Sequence, residues 1–324
     1  MSTSPSTTDA SAAGGALTVE RNGINVISEA ERTGKPSDLF WPWCAANISV
    51  FGVSYGSFVL GFRVNGWQAL AAAVLGVVLS FLLVGLVSLA GRRGSAPTMV
   101  LSRAAFGVRG NALPSLVSYL ILVGYETALV ALAAFATATV FGRLGWGDGD
   151  GTKIVAFAVV ALIIVAGGVL GFATVMRLQK YLTILMVIVT IGYIALTVDE
   201  ISSSAFGELP TGEGKAVFGA FVVVVSGFGI SWVNSAADYS RYLPRTTSGK
   251  GVVGWTTFGG SLPLVILVAY GVLLAGSDPK LSSALAGDPI GALTPALPDW
   301  FLVPFAIVAV AGLVSGALLD IYSS

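Results

Sequence analysis

Residues Trp41–Phe62 read WPWCAANISVFGVSYGSFVLGF. The stretch is long enough to cross a bilayer, which takes about 20 mostly apolar residues. Yet it carries Asn47, Ser49 and Ser54, together with Gly52, Gly56 and Gly61. Glycine weakens a helix by roughly 1 kcal/mol relative to alanine. Two readings are open. Polar side chains around glycines are what a discontinuous helix needs, because unwound backbone at membrane depth must line a cavity. The same small residues also let two helices approach closely. The first reading makes this segment half of a binding site, with Ser49, Gly52 and Ser54 as candidate substrate contacts.

The rest of the chain sets that segment in a membrane. Of 324 residues, 55% are hydrophobic and 10% charged, with a mean hydropathy of +0.86. Soluble domains carry about 25% charged residues. A chain this long with so few charges needs lipid as solvent, so the fold class is an all-α integral membrane protein. Eight spans are predicted: Leu39–Phe62, Trp67–Ala90, Ala112–Phe141, Ile154–Ala173, Tyr181–Val198, Ala216–Ala237, Val252–Gly276 and Phe301–Ile321. Residues 1–38 read as a solvated tail with no cleaved signal peptide, since no apolar run follows a basic start. With the N-terminus in the cytoplasm, 12 of the 17 basic residues fall on inner segments. The positive-inside rule therefore favours that orientation. The chain stops at Ser324 directly after an apolar run, which reads as truncation.

Composition also narrows the chemistry. Formal net charge is zero, so no basic field points to nucleic acid. There are no histidines and one cysteine, Cys44. The usual zinc ligands are missing, no metal or cofactor is implied, and proton chemistry falls to carboxylates.

Three further segments depart from plain apolar helices. Glu126, in LVGYETALVAL, lies midway along the third span. A carboxyl there costs about 2.5–3.5 kcal/mol on insertion scales, so it should face a partner or a wet cavity. Low dielectric favours its neutral form, which can carry a proton or bond a polar ring; the alternative is a structural bond to another helix. The sixth segment, VSGFGISWVNSAADYSRYLP at Val225–Pro244, sets Ser226, Gly227 and Gly229 beside Phe228, Trp232 and Asn234. Either aromatic can stack on a flat ring or simply fill the core. Asp238 and Arg241 are three apart, a spacing that makes a structural ion pair if the chain is helical. The eighth segment is interrupted by Ser315, Gly316 and Asp320, the last near its end. Two loop motifs, Gly145–Asp148 and Asp148–Gly151, match short protease and calcium-loop patterns but read as ordinary turns.

SWVNSAADYSRYLP (Ser231–Pro244), LSRAAFGVRG (Leu101–Gly110) and ISEAERTGKPSDLFWPWCAANISV (Ile27–Val50) together resemble the purine–cytosine permeases of the nucleobase–cation symporter family. The resemblance extends over nearly the whole chain after about residue 20. It implies the five-plus-five inverted-repeat, LeuT-like fold, with substrate at broken first and sixth helices. Residues 39–198 would be the first repeat and 199–324 an incomplete second one, truncated after about eight helices. It implies a permease of the cell membrane importing nucleobases by cation symport through alternating access. Glu126 falls where members place a polar residue, often glutamine, against the substrate. Phe228 lies close to the stacking aromatic. Ser315–Asp320 covers a stretch where relatives have asparagines, and with Gly316 and Ala317 not asparagine, Asp320 is the remaining candidate. Sodium-coupled relatives use hydroxyls on helix eight, but Val303–Val314 has no Ser or Thr. The proton is therefore the favoured coupling ion and Glu126 its expected carrier. Other small heterocycles, such as hydantoin, allantoin or a vitamin precursor, stay open, as do sodium coupling and a non-transporting remnant. A membrane enzyme is disfavoured, because Glu126 has no evident second carboxylate in the sequence.

Overall fold

The structure, a computed structural model, describes residues 22–169 and 172–324. The expected tail up to residue 21, and residues 170–171 of the fourth predicted span, lie outside the described residues.

The first span is two helices, α1 (Phe40–Asn47) and α2 (Phe51–Leu60), bent by 67°. Then come α3 (Gly66–Gly94), the short α4 (Thr98–Leu101) and α5 (Arg103–Gly110), α6 (Ala112–Arg143), α7 (Asp150–Val169) and α8 (Phe172–Thr197). The short α9 (Ser203–Gly207) precedes α10 (Gly214–Gly227), which gives way to a 3-10 helix at Gly229–Ser235. The chain ends in α11 (Gly249–Ser277), α12 (Pro279–Gly287) and α13 (Asp299–Ser323). Among the described residues, seven helices are long and apolar enough to cross a membrane, and the bent α1–α2 pair makes an eighth. The predicted spans thus stand, and the sixth, Ala216–Ala237, is broken as the resemblance implied: its α-helix stops at Gly227, where the backbone turns sharply at Phe228 (φ −116°, ψ −103°).

The helices sort into two packed groups. One joins Val130 and Ala133 of α6, Ile164 of α7, Met186 of α8 and Phe305 and Val308 of α13. The other joins Val77 and Phe81 of α3, Val224 of α10 and Leu264 and Val268 of α11. The first span straddles both: Ala45 and Val53 belong to the first core, Trp43 and Val59 to the second. Lipid tails are as apolar as leucine, so close packing rather than transfer from water holds these contacts. The outer faces carry Leu162 and Ile188, each more than 60% exposed, as a lipid-facing surface requires.

Glycine placement shows how tightly the groups close. A Cβ on Gly271 of α11 would overlap the Val53 carbonyl, and one on Gly56 would overlap the Gly271 backbone. Gly56 and Gly271 therefore seat α2 against α11. The close-packing reading holds for Gly56, while the break itself lies at Ile48–Val50, where no glycine stands.

Candidate functional site

The two interrupted segments meet between the helix groups. At the first, Ile48 leaves helical geometry (φ −87°, ψ 55°) and its N–H still reaches Cys44 O at 2.8 Å. Ser49 serves the start of α2: its carbonyl accepts from Gly52 N at 2.8 Å and its hydroxyl from Phe51 N at 3.3 Å. Gly312 of α13 lies against Ser49, where a Cβ would come within 2.9 Å of that hydroxyl. At the second, Gly229 N donates to Ser80 Oγ of α3 at 3.2 Å. A Cβ on Gly229 would overlap the Ser80 backbone, so only glycine permits this approach.

A cavity of about 90 Å³ lies between the breaks. Ser49 and Gly52 line it from the first break, Phe228 and Trp232 from the second, and Asp320 from α13. The structure thus brings five of the eight sequence-predicted substrate contacts together. The other three sit elsewhere. Ser54 is fully buried and donates to Pro289 O in the loop after α12. Asn234 donates to Ser118 Oγ of α6 at 2.7 Å, a tie between segment six and α6. Glu126 is half-buried beside the lining residue Tyr125, one turn before Leu129, which packs against Gly316 one turn before Asp320. Asp320 is 3% exposed: it stands in the last turn of α13 but is buried rather than solvated.

Tyr55, Tyr125 and Ser231 line the cavity without having been singled out, and Asn47, noted as a polar residue of the first span, lines it as well. Tyr55 matters most. Its ring centroid is 4.3 Å from that of Phe228, at 42°. Its hydroxyl lies over Gly227, where a Cβ would come within 2.9 Å of it. A flat ring stacking on the face of Phe228 that Tyr55 covers must move Tyr55 aside. The available signal was a tyrosine inside the broken first span, since a buried phenol needs a polar setting. Trp232 is backed by Trp43, edge-on with centroids 5.7 Å apart.

Asp238 and Arg241, expected as an ion pair, lie close enough to attract each other, and each also has partners on other elements. Asp238 accepts from Thr98 N at 2.7 Å and Thr98 Oγ1 at 2.9 Å. Arg241 donates to Gly23 O at 2.6 Å and Tyr322 OH at 2.8 Å. Residues 236–242 form turns, so the two side chains are placed by these contacts rather than by three-residue spacing on one helical face. Ser315, the hydroxyl nearest the expected sodium position, donates to Gln179 Oε1, while Gln179 Nε2 donates to Ser315 O at 2.8 Å.

Two packed helix groups, joined by spans that break where a cavity forms, define a multi-pass membrane protein of the LeuT-like inverted-repeat class. Residues 26–324 match the family model described as permease for cytosine/purines, uracil, thiamine, allantoin, and the chain belongs to that family. Among curated proteins, a putative purine-cytosine permease of Bacillus subtilis is 26% identical over 276 residues, 82% of this chain and 56% of that protein. A purine-cytosine permease of Saccharomyces cerevisiae is 25% identical over 284 residues, 83% of this chain and 51% of the relative. The chain therefore spans about half the length of the curated relatives it matches. Among solved structures, Mhp1, a nucleobase-cation-symport-1 family transporter, closed with bromovinylhydantoin bound, superposes with a TM-score of 0.70. That match is 18% identical and covers 94% of this chain and 67% of Mhp1. The inward-facing form of Mhp1 gives a TM-score of 0.65 over 94% of this chain and 72% of that one. At this identity the likeness establishes the fold.

Proposed function

We propose that this chain is the substrate-binding part of a secondary active transporter that imports nucleobases, cytosine or purines, by proton symport. The observation that carries this reading is the cavity between two helix breaks, walled by Phe228 and Trp232 and bearing the Asp320 carboxyl. A planar heterocycle presents a face for the aromatics and N–H donors for the carboxyl. Tyr55 moves aside as the ring stacks on Phe228. Ser49 and Gly52 offer polar backbone at the first break, and Glu126 is the proton carrier beside the cavity. Asn234 and Ser54 act by holding segment six and α2 in place. Alternating access follows from rocking the α3–α10–α11 group against the α6–α7–α8–α13 group, with the first span shared between them. Residues 39–198 form the first repeat and 199–324 part of the second. The protein lies in the plasma membrane with its N-terminus in the cytoplasm, as the basic residues favour.

The engagement of Ser315 with Gln179 supports the proton over sodium, since a hard cation wants several free oxygens. No covalent step is needed at this site. A hydantoin-like ring is the second reading, favoured by the bromovinylhydantoin bound in the solved relative.

The test is uptake of radiolabelled cytosine, adenine and hypoxanthine by cells expressing the complete reading frame that encodes this chain. The expected result is uptake that collapses with the proton gradient and falls at least tenfold in Phe228→Ala, about 1.4 kcal/mol of lost stacking. Uptake driven by a sodium gradient would overturn the coupling assignment. Hydantoin uptake without base uptake would move the protein to the second reading.

A further inference from the structure

The cavity carries an unanswered charge. Asp320 is 3% exposed, lines the cavity, and its Oδ2 has no hydrogen-bond partner among the described residues. No lysine or arginine lines the same space. An ionised carboxylate buried without a cation or donors is strongly disfavoured, so this group must hold a proton or meet one.

The groups facing Asp320 make the demand sharper. From α6, Glu126 acts on it with the same sign, and Tyr125 shares its cavity. From α2 comes Tyr55. From the turns after segment six, the Tyr239 hydroxyl donates to Leu319 O at 2.8 Å. There Asp238 is bonded by Thr98, and Arg241 points to Gly23 O and Tyr322 OH. From α8, Gln179 is bonded to Ser315, while Arg177 and Lys180 line a separate pocket beside Trp41. On α7, Asp150 and Lys153 pair with each other at the far end. From α1 the one ionisable group is the buried thiol of Cys44. Leu129 of α6 packs against Gly316 of α13, both line the cavity, and Glu126 and Asp320 each stand one turn from that contact, so the two carboxyls are brought to one region.

We propose that Asp320 and Glu126 form a two-carboxyl proton site that holds a single proton between them at neutral pH. This rests on the transport reading above and replaces a lone Glu126 carrier with a coupled pair. Like charges in such a region do not both ionise cheaply, so one proton stays while the other leaves. Loading takes a proton from water on one side, forms one carboxyl O–H bond, and leaves the partner carboxylate free to accept an N–H of the ring. Release follows substrate departure on the other side: water entering the opened cavity hydrates the second carboxylate, so the O–H bond breaks there and the proton passes to that water. Substrate and proton then occupy adjoining oxygens, which links their binding without contact between proton and ring.

The experiment is an infrared titration of the protonated-carboxyl band on the purified whole protein in lipid, without substrate. It compares wild type with Glu126→Gln, Asp320→Asn and the double variant. Difference spectra against the double variant isolate the two groups. The expected result is one protonated carboxyl in wild type at neutral pH. In each single variant the remaining carboxyl should lose its proton about one pH unit or more lower, because its like-charged neighbour is gone. Equal midpoints in wild type and single variants would overturn the proposal, as would a band that Asp320→Asn leaves unchanged. Unfolding temperatures of the near-isosteric variants show whether each is folded, and Asp320→Glu, which keeps the charge, should restore the coupled titration. Cytosine uptake by the same wild-type protein separates the two claims. Absent uptake with a coupled titration would sink the transport reading alone, while uptake with independent midpoints would sink the pair alone.

Discussion

The chain breaks a membrane helix twice, and it builds the two breaks differently. The first is self-contained. Three residues, Ile48–Val50, separate α1 from α2, and Cys44 O with the carbonyl and hydroxyl of Ser49 meet the local N–H groups. The second is held by its neighbours. After Phe228 the chain does not resume an α-helix before Gly249. Its polar groups find partners on other elements: Gly229 N on Ser80, Ala236 O on Ser88 at 3.1 Å, and Asp238 on Thr98. Unwound backbone at membrane depth survives only where protein or a wet cavity satisfies it. A short break does this with its own residues, whereas a long one needs a wall, and α3 is that wall. Segment six is therefore held chiefly by α3, with Asp238 on α4 and Asn234 on α6 as further ties, while α2 is fixed by contacts of its own, to α11 and to the loop around α12.

Four substitutions and one control test this division. The largest effect is expected at the glycine seat of α2. Gly271→Val drives a side chain into the Val53 carbonyl. Folded protein recovered from membranes should fall to near nothing, whereas Gly254→Ala, with nothing within 4 Å, should be recovered like wild type. A normal yield of Gly271→Val would mean that α2 is not seated on α11. Next comes Ser80→Ala, which strands the Gly229 N–H and should destabilise by about 1–3 kcal/mol. Thermal unfolding of the purified protein measures it, and cytosine affinity should drop with it, because Phe228 adjoins the freed residue. Ser49→Ala should cost less, since its hydroxyl serves one long local bond of 3.3 Å. Equal losses at the two serines would erase the distinction between the breaks. The smallest effect is expected at Ser57→Ala, which removes the bond to Ser282 O at 3.1 Å. It should destabilise by about 0.5–1.5 kcal/mol and increase proteolytic nicking near α12, leaving the cavity end of α1 unchanged.

Both breaks were legible in the sequence, but not where they fall. Glycines mark the first span, and the reading assigned them to the unwinding. In the structure Gly56 serves a backbone contact with a residue more than 200 positions away, which no local pattern reveals. The actual break at Ile48–Val50 holds two β-branched residues and a serine, without a breaker among them. Segment six was read better, because Gly227 and Gly229 flank the turn at Phe228. Beyond it the local pattern says less: the Asp238–Arg241 spacing was read on a helix, whereas the backbone there is a run of turns in which each side chain is also held by partners on other elements. Tyr55 stood inside the decisive stretch and went unnoticed, since its partner, Phe228, comes from the other break.

The sequence by itself determined the solvent, the spans, the family and the two segments that would not stay helical. Hydropathy and helix propensity add up residue by residue along the chain, so these properties need no knowledge of the fold. Only the tertiary structure decided which polar groups share a cavity. It set Asp320 within reach of Glu126's charge and took Ser54, Asn234 and Ser315 out of the cavity by giving each a partner on another element. Hydrogen bonds and charge pairs are settled by distance in space, and distance in space is what a one-dimensional pattern does not carry.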